Sequence, residues 1–259
     1  MKLYSYTKGN STNPAVLLLH GLLGSSRNLF RVAEQIAEAG FFVVAYDQSG
    51  HGHSDHSEHY SLSDLAGDVF RVMNEHQIGK AHLVGHSLGA RVSLAATNSD
   101  PTRVLSLTML DAGIKINPNA VYDLRQIIEP LPESFNSKAD AERFLSNHSV
   151  MMRQFLMANL RTRDGKQTWV FDLPKIRDEL LTSLAEDQTP AWKNVGCPVL
   201  VARGAISRHF TQDELEHMLS LQPHAQAASI ANAAHWVHVD NFEDTVQIIT
   251  AFLKKVTNR

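Results

Sequence analysis

The sequence predicts an α/β protein in which a mostly parallel sheet is covered by helices. Two observations support this fold class. Short apolar runs alternate with longer segments in which apolar residues recur at helical spacing. The apolar runs also lack polar residues at every second position, which is typical of strands buried on both faces of a parallel sheet. The length of 259 residues suits one large domain, or one domain that carries an insertion.

Strands and helices are predicted to alternate through the first 110 residues. Gly40 is placed to end the first helix, and Ser61 is a candidate N-cap for the second. Each helix therefore connects one strand to the next, as a parallel sheet requires. The predicted strands are 15–19, 41–46, 81–85 and 104–110, and the predicted helices are 29–39, 62–73 and 88–98.

The alternation stops after Asp111. Residues 113–192 contain helical patches but no convincing buried strand, and the strand pattern resumes at 198–202 and 225–230 before a last helix at 242–256. We therefore predict a helical cap, residues 113–192, inserted after the strand that ends near Leu110. The core of the protein is then formed by residues 1–112 and 193–259. The helical patches of the cap are 121–128, 139–160 and 176–185.

Composition excludes several kinds of partner. The net charge of −3 argues against nucleic acid and against an anionic membrane surface as the main partner. No apolar run is long enough to span a bilayer, and the first residues contain no apolar stretch of signal-peptide length. Cys197 is the only cysteine, so no internal disulfide can form. We expect a cytoplasmic protein with a small-molecule substrate; its oligomeric state stays open.

The sharpest chemical signal is the sequence Gly-His-Ser-Leu-Gly at 85–89. A bare Gly-x-Ser-x-Gly is common by chance, but here it follows the predicted strand 81–85 and opens a predicted helix. That strand-turn-helix context is typical of a nucleophile on a sharp turn, with Ser87 raised above the sheet edge. The alternative is a glycine-containing phosphate-binding or packing turn.

An acyl-transfer nucleophile needs two backbone N–H groups directed at the developing oxyanion. Leu88, directly after Ser87, would supply one of them. The sequence His-Gly-Leu-Leu-Gly at 20–24 follows the first buried strand, and its Leu22 would supply the other. The alternative is a glycine-rich strand end without a role. Leu23, His86 and Trp236 adjoin these motifs and are candidates for the wall of the substrate pocket.

The general base should come late in the chain, between the last strand and the last helix. His235 is the first histidine after that strand and is the preferred candidate, while His238 lies one helical turn further on. The chain order Ser, then Asp or Glu, then His admits two acids. Asp111 follows the strand next in sequence to that of Ser87, and Asp213 follows the strand 198–202. We prefer Asp111, because both strand ends open on the same crevice of a parallel sheet.

A histidine-rich turn includes His51, His53, His56 and His59, which resembles a metal site. It has no set of carboxylates or cysteines at ligand spacing, so we predict neither a metal nor a cofactor.

Over nearly its whole length the chain resembles the α/β-hydrolase superfamily. Residues 47–55 are similar to the family's Asp-x-Arg-Gly-His-Gly-x-Ser-Asp turn, with Ser49 in place of the arginine. More closely, the chain resembles the small bacterial esterases of the YbfF type, in the stretches 20–25, 169–174 and 235–238. These relatives lack the late aspartate and place the acid after the earlier strand, which supports Asp111. Asn232 and Ala234 replace glycines that often precede the histidine; the alanine would be strained if its φ were positive.

The resemblance implies hydrolysis of carboxylic esters beneath a helical cap, and in some relatives of acyl-CoA thioesters. The residues and the resemblance together predict a serine esterase that forms an acyl-enzyme on Ser87. Three other reactions are known on the same scaffold: carbon–carbon bond hydrolysis, a lyase reaction of the menaquinone pathway, and perhydrolysis. A non-catalytic binding module is an alternative from a different class, because fold alone does not fix function.

Overall fold

The computed structural model describes residues 1–116 and 118–258. The strands are β1 (Ser5–Lys8), β2 (Ala15–Leu19), β3 (Phe42–Tyr46), β4 (Ala81–His86), β5 (Val104–Leu110), β6 (Ser134–Phe135), β7 (Leu160–Arg163), β8 (Lys166–Trp169), β9 (Val199–Gly204) and β10 (Gln226–Ile230). The helices are α1 (Phe30–Glu38), α2 (Leu62–Glu75), α3 (Leu88–Ser99), α4 (Pro118–Ile128), α5 (Lys138–Phe144), α6 (Val150–Ala158), α7 (Leu173–Lys175), α8 (Leu181–Leu184), α9 (Thr189–Lys193), α10 (Gln212–Leu221), α11 (Val237–Asp240) and α12 (Phe242–Thr257). A π-helical stretch, Ile176–Leu180, joins α7 to α8.

Seven strands form the main sheet in the order β1-β3-β2-β4-β5-β9-β10. All neighbouring pairs are parallel except β1 and β3, which are antiparallel. This architecture confirms the predicted α/β class and its mostly parallel sheet. The edge strand β1 was not predicted, because its four residues are polar or half-exposed and form no apolar run.

The central strands β2 and β3 are apolar and buried throughout, because helices pack on both of their faces. In β2, Leu17 and Leu19 pack into one core with α2 and α3, while Val16 and Leu18 pack into the other with α1 and α12. All four side chains are fully buried. Burying one such side chain stabilises the fold by about 1.5–3 kcal/mol, so this single strand anchors both layers.

The segment predicted to be a helical cap also contains strands. The strands β6, β8 and β7 form a small antiparallel sheet, whose residues are mostly exposed or half-buried and therefore form no buried strand of the kind that the sequence pattern excluded. The hairpin between β7 and β8 turns at Asp164 and Gly165, which both have positive φ. An Asp-Gly pair is a strong hairpin signal. The residues of β7 are mostly exposed and polar, however, so they do not form the apolar run that predicts a buried strand.

The helix predicted over 139–160 is broken into α5 and α6. The side chains of Ser137 and Ser149 each accept a hydrogen bond from a backbone N–H in the first turn of one helix, and so start each helix separately. His148, between them, has an extended backbone. The division of the chain into a core and a cap at residues 112 and 193 stays a prediction.

Candidate active site

Ser87 occupies a sharp turn between β4 and α3. Its φ of 53° and ψ of −116° are unusual for a residue with a side chain. The turn is possible because glycines flank it. A Cβ added to Gly85 would lie 2.2 Å from the carbonyl oxygen of Gly89, and one added to Gly89 would lie 2.2 Å from that of Leu19. The two glycines are therefore required by backbone packing around Ser87.

Asp111 directly follows β5, the strand that pairs with the strand leading to Ser87. Its side chain is 1% exposed and accepts hydrogen bonds from the N–H of Gly204, at 2.8 Å, and from Oγ of Ser207, at 2.6 Å. Its own N–H donates to the carbonyl of Ala202, at 2.8 Å. The residue is thus held rigidly between β5 and the loop that follows β9.

His235 bridges these two residues. Its Nδ1 lies 2.8 Å from Oδ2 of Asp111, and its Nε2 lies 3.1 Å from Oγ of Ser87. A carboxylate only accepts hydrogen bonds, so the ring proton belongs on Nδ1, and Nε2 is then free to accept the proton of Ser87.

The backbone before His235 is also defined by hydrogen bonding. The N–H of Ala234 donates to Oδ2 of Asp240, at 2.8 Å. The left-handed residue in this loop is Asn232, with φ of 57°, and not Ala234. Asparagine tolerates this conformation, so the strain that an alanine would suffer there does not arise.

The two alternative residues are not part of this hydrogen-bonded chain, although His238 lines the same cavity. Asp213 is exposed in the first turn of α10. His238 is buried with its ring 4.7 Å from that of His86, and its Nδ1 has no hydrogen-bond partner among the described residues. The hydrogen bonds to His235 and Ser87 therefore favour the preferred set over both alternatives.

Burial dominates the electrostatics of the pair. It raises the pKa of Asp111, while the hydrogen bonds from Ser207 and Gly204 act in the opposite direction. Burial also lowers the pKa of His235, and the neighbouring His209 lowers it further. The imidazole is therefore kept neutral, which is the form that can accept a proton.

Leu22 and Leu88, whose backbone amides are predicted to form an oxyanion site, both line the same cavity as Ser87. The N–H of Leu88 is the first of α3, and the first amides of a helix have no intrahelical acceptor. A Cβ added to Gly21 would lie 3.4 Å from Cβ of Ser87, so the chain that leads to Leu22 passes close to the nucleophile. No turn or loop hydrogen bond among the described residues uses either amide.

A cavity of about 610 Å³ opens above Ser87. The three residues predicted for its wall, Leu23, His86 and Trp236, all line it. The N–H at Nε2 of His86 donates to the carbonyl of His235, at 2.8 Å, so this residue also holds the loop of the candidate base. Apolar side chains from α4 and α6 also line the cavity: Leu124, Ile127, Met152 and Phe155.

Sequence reasoning missed two residues of the site. Ser207 holds the carboxylate of Asp111, and the ring of His209 lies 4.5 Å from that of His235. Both lie in the loop between β9 and α10, which contains no aspartate. The only signal for Ser207 in the sequence is that a serine hydroxyl can donate a hydrogen bond to a carboxylate. Among the described residues, no group of three or more histidine, cysteine or acidic side chains is arranged to hold a metal ion.

The family model for the alpha/beta hydrolase fold matches residues 14–242. The chain belongs to this family. Within the alpha/beta hydrolases it is 28% identical to the sn-1-specific diacylglycerol lipase ABHD11 of Danio rerio, over 95% of this chain and 80% of the relative. It is 26% identical to the esterase YbfF of Escherichia coli K12, over 93% of each chain, which confirms the predicted relationship to the YbfF-type esterases.

A third alpha/beta hydrolase, the solved structure of E-2-(acetamidomethylene)succinate hydrolase, superposes with a TM-score of 0.86. It is 27% identical and covers 97% of this chain and 95% of its own. The protein is thus a hydrolase by its relatives, while their substrates differ. No helix among its described residues is long and apolar enough to cross a membrane.

Proposed function

We propose that this hydrolase is a serine esterase that cleaves carboxylic esters through an acyl-enzyme on Ser87. The observation that carries the proposal is the continuous hydrogen-bonded chain from Ser87 through His235 to Asp111, at the bottom of an apolar cavity. Nucleophile, base and orienting acid are thereby within hydrogen-bonding reach of one another.

In the first step, Nε2 of His235 takes the proton of Ser87 as Oγ attacks the ester carbonyl. The negative charge that develops on the carbonyl oxygen is stabilised by the amides of Leu22 and Leu88. The imidazolium then gives its proton to the leaving alcohol, and the acyl group remains on Oγ. Asp111 stabilises the transient imidazolium and keeps the proton of the neutral ring on Nδ1.

In the second step, His235 takes a proton from a water molecule, which attacks the acyl-enzyme. The same two amides stabilise the second oxyanion, and the carboxylic acid leaves as Oγ of Ser87 recovers its proton. His235 thus accepts one proton and donates one proton in each step, and the enzyme returns to its starting state.

The apolar wall of α4 and α6 favours substrates with an apolar acyl group. The names of two relatives, a diacylglycerol lipase and an esterase, agree with this substrate class. Acyl-CoA thioesters are a second class that the mechanism accepts, because a thiol leaves more easily than an alcohol.

The test is hydrolysis of a p-nitrophenyl ester series, from acetate to palmitate, by the wild type and by Ser87→Ala. Ser99→Ala is the matched control, because Ser99 lies exposed in the last turn of the same helix. We expect turnover by the wild type and the control and its loss in Ser87→Ala. Turnover that persists in Ser87→Ala would overturn the proposal.

A second candidate function is hydrolysis of a substrate that is not a simple ester. The structural relative named for (acetamidomethylene)succinate favours it. Carbon–carbon bond hydrolysis and the lyase reaction belong to the same group of alternatives. Absence of turnover on every ester of the series would favour this group.

A further inference from the structure

Arg91 lies on α3, one helical turn beyond Ser87, and its side chain is 1% exposed. Its guanidinium donates to two backbone carbonyls that are distant from each other in sequence. Nη1 donates to Gly113, at 2.8 Å, and Nη2 donates to Glu186. Gly113 follows Asp111 at the start of the predicted cap, and Glu186 precedes α9 near its end.

We propose that Arg91 is a positioning residue for the acyl pocket. It holds both ends of the segment 113–188 on α3, the helix that follows Ser87, and thereby fixes the wall of the pocket relative to Ser87. The inference rests on the proposed function and adds to it the residue that sets the depth of the acyl site.

The two ends of the segment are also bonded to each other. The N–H of Gln188 donates to the carbonyl of Ile114, at 2.9 Å. The side-chain amide of Gln188 donates to the carbonyl of Arg91, also at 2.9 Å. Arg91 and Gln188 thus form one junction, at which both ends of the segment 113–188 are bonded to α3.

An arginine is suited to this place because its planar guanidinium presents several N–H groups in a fixed fork, which can reach two acceptors at once. Burial lowers its pKa to about 10, so the group remains a cation at neutral pH. Among the described residues, no carboxylate lies within ion-pair distance of it. Backbone carbonyls therefore balance the charge, and hydrogen bonds from a charged donor are stronger than neutral ones.

The junction matters for catalysis because the two sides of the pocket come from different segments. Ser87 precedes α3, whereas Leu124 and Phe155 belong to α4 and α6, between the two ends that Arg91 holds. An acetyl group occupies only the space next to Ser87, but a longer acyl chain must contact α4 and α6. Loosening the junction should therefore weaken the binding of long acyl chains far more than that of acetyl.

The experiment compares Arg91→Lys with the matched control Arg103→Lys. Arg103 also donates to two carbonyls, those of Ile78 and Gly79, but these precede β4 and do not line the cavity. For Arg91→Lys we expect kcat/KM on p-nitrophenyl octanoate to fall on the order of tenfold or more, mainly through KM, and kcat/KM on acetate to fall much less. The control should keep the wild-type ratio of octanoate to acetate.

Hydrogen exchange of the backbone N–H of Gln188, which donates to Ile114, tests the junction without any ester. We expect faster exchange in Arg91→Lys and wild-type exchange in Arg103→Lys. If Arg91→Lys does not fold, Gln188→Met, which removes the bond to Arg91 at similar size, should show the same selective loss on octanoate. Unchanged exchange, or equal losses on acetate and octanoate, would overturn the inference. Absence of ester turnover in the wild type would refute the proposed function instead and leave the exchange result to decide the junction.

Discussion

The carboxylate of Asp111 accepts a hydrogen bond from Nδ1 of His235 across 2.8 Å, although one follows β5 and the other follows β10. Only β9 lies between those two strands in the sheet, so their ends are close enough for this contact. The loop after β9 contributes Ser207, whose hydroxyl donates to the same carboxylate. The acid therefore reaches the histidine from the strand beside that of Ser87, and the neighbouring loop supports it.

We expect Asp111→Asn to lower kcat for p-nitrophenyl acetate by about 10⁴-fold, because an amide no longer fixes the ring proton on Nδ1. Asp213→Asn should retain wild-type activity, since Asp213 is exposed on α10. Steady-state kinetics of both variants measure the effect. The opposite result, with the loss in Asp213→Asn, would make Asp213 the acid.

The pH dependence of kcat/KM should show an acid limb with its midpoint below about 6.5, the value of a free imidazole. Activity requires neutral His235, and burial lowers the pKa of that ring, so protonation and loss of activity come only at lower pH. Hydrolysis of p-nitrophenyl acetate, followed at the isosbestic wavelength, gives the profile. A midpoint above about 7 would show that the charge of Asp111, and not burial, governs the ring.

Gly85→Ala should destabilise the protein by about 1–3 kcal/mol or more, since the new methyl group would overlap the backbone at Gly89. Gly67→Ala is the matched control. Gly67 lies in α2 with no atom within 4 Å of an added Cβ, so this change should stabilise the protein by about 0.5–1 kcal/mol. Denaturant unfolding of both variants measures the difference. Equal stability of the two would contradict the tight turn around Ser87.

The free energy of unfolding should fall as the pH is lowered from about 6.5 towards 4, in part through His82. This histidine is buried, with its Nδ1 2.8 Å from Oγ of Ser106, and burial lowers its pKa to about 4. The unfolded chain binds the proton near pH 6.5 and the folded protein only near pH 4. Between these values the unfolded state binds more protons, so acid destabilises the fold.

Denaturant unfolding at several pH values tests this contribution. His82→Gln should flatten the dependence by at most about 1.4 kcal/mol per pH unit, the value for one proton. His224→Gln, at an exposed histidine, serves as the control. An unchanged slope in His82→Gln would assign the acid sensitivity to other buried histidines.

The buried strands and the helices of the core could be predicted because each leaves a local pattern. Ala15–Leu19 is an unbroken apolar run, and Ser61 caps α2 with both hydrogen bonds of a capping box. The small sheet of the insertion was missed because β7 is mostly exposed and its pairing with β8 depends on a turn, not on an apolar run. The break between α5 and α6 was missed because the apolar periodicity continues across it. Only the capping side chains of Ser137 and Ser149 mark the start of two separate helices.

The sequence by itself determined the position of Ser87, because the glycines on either side are needed wherever a strand turns so sharply into a helix. It also narrowed the base to His235 or His238 and the acid to Asp111 or Asp213. Only the tertiary structure decided which pair stands within hydrogen-bonding distance, and it alone brought Ser207 to Asp111 and both ends of the segment 113–188 to Arg91. The physical reason is that a nucleophile turn is a local conformation, whereas these contacts join residues far apart in the chain, whose distances are set by the packing of the sheet and its helices.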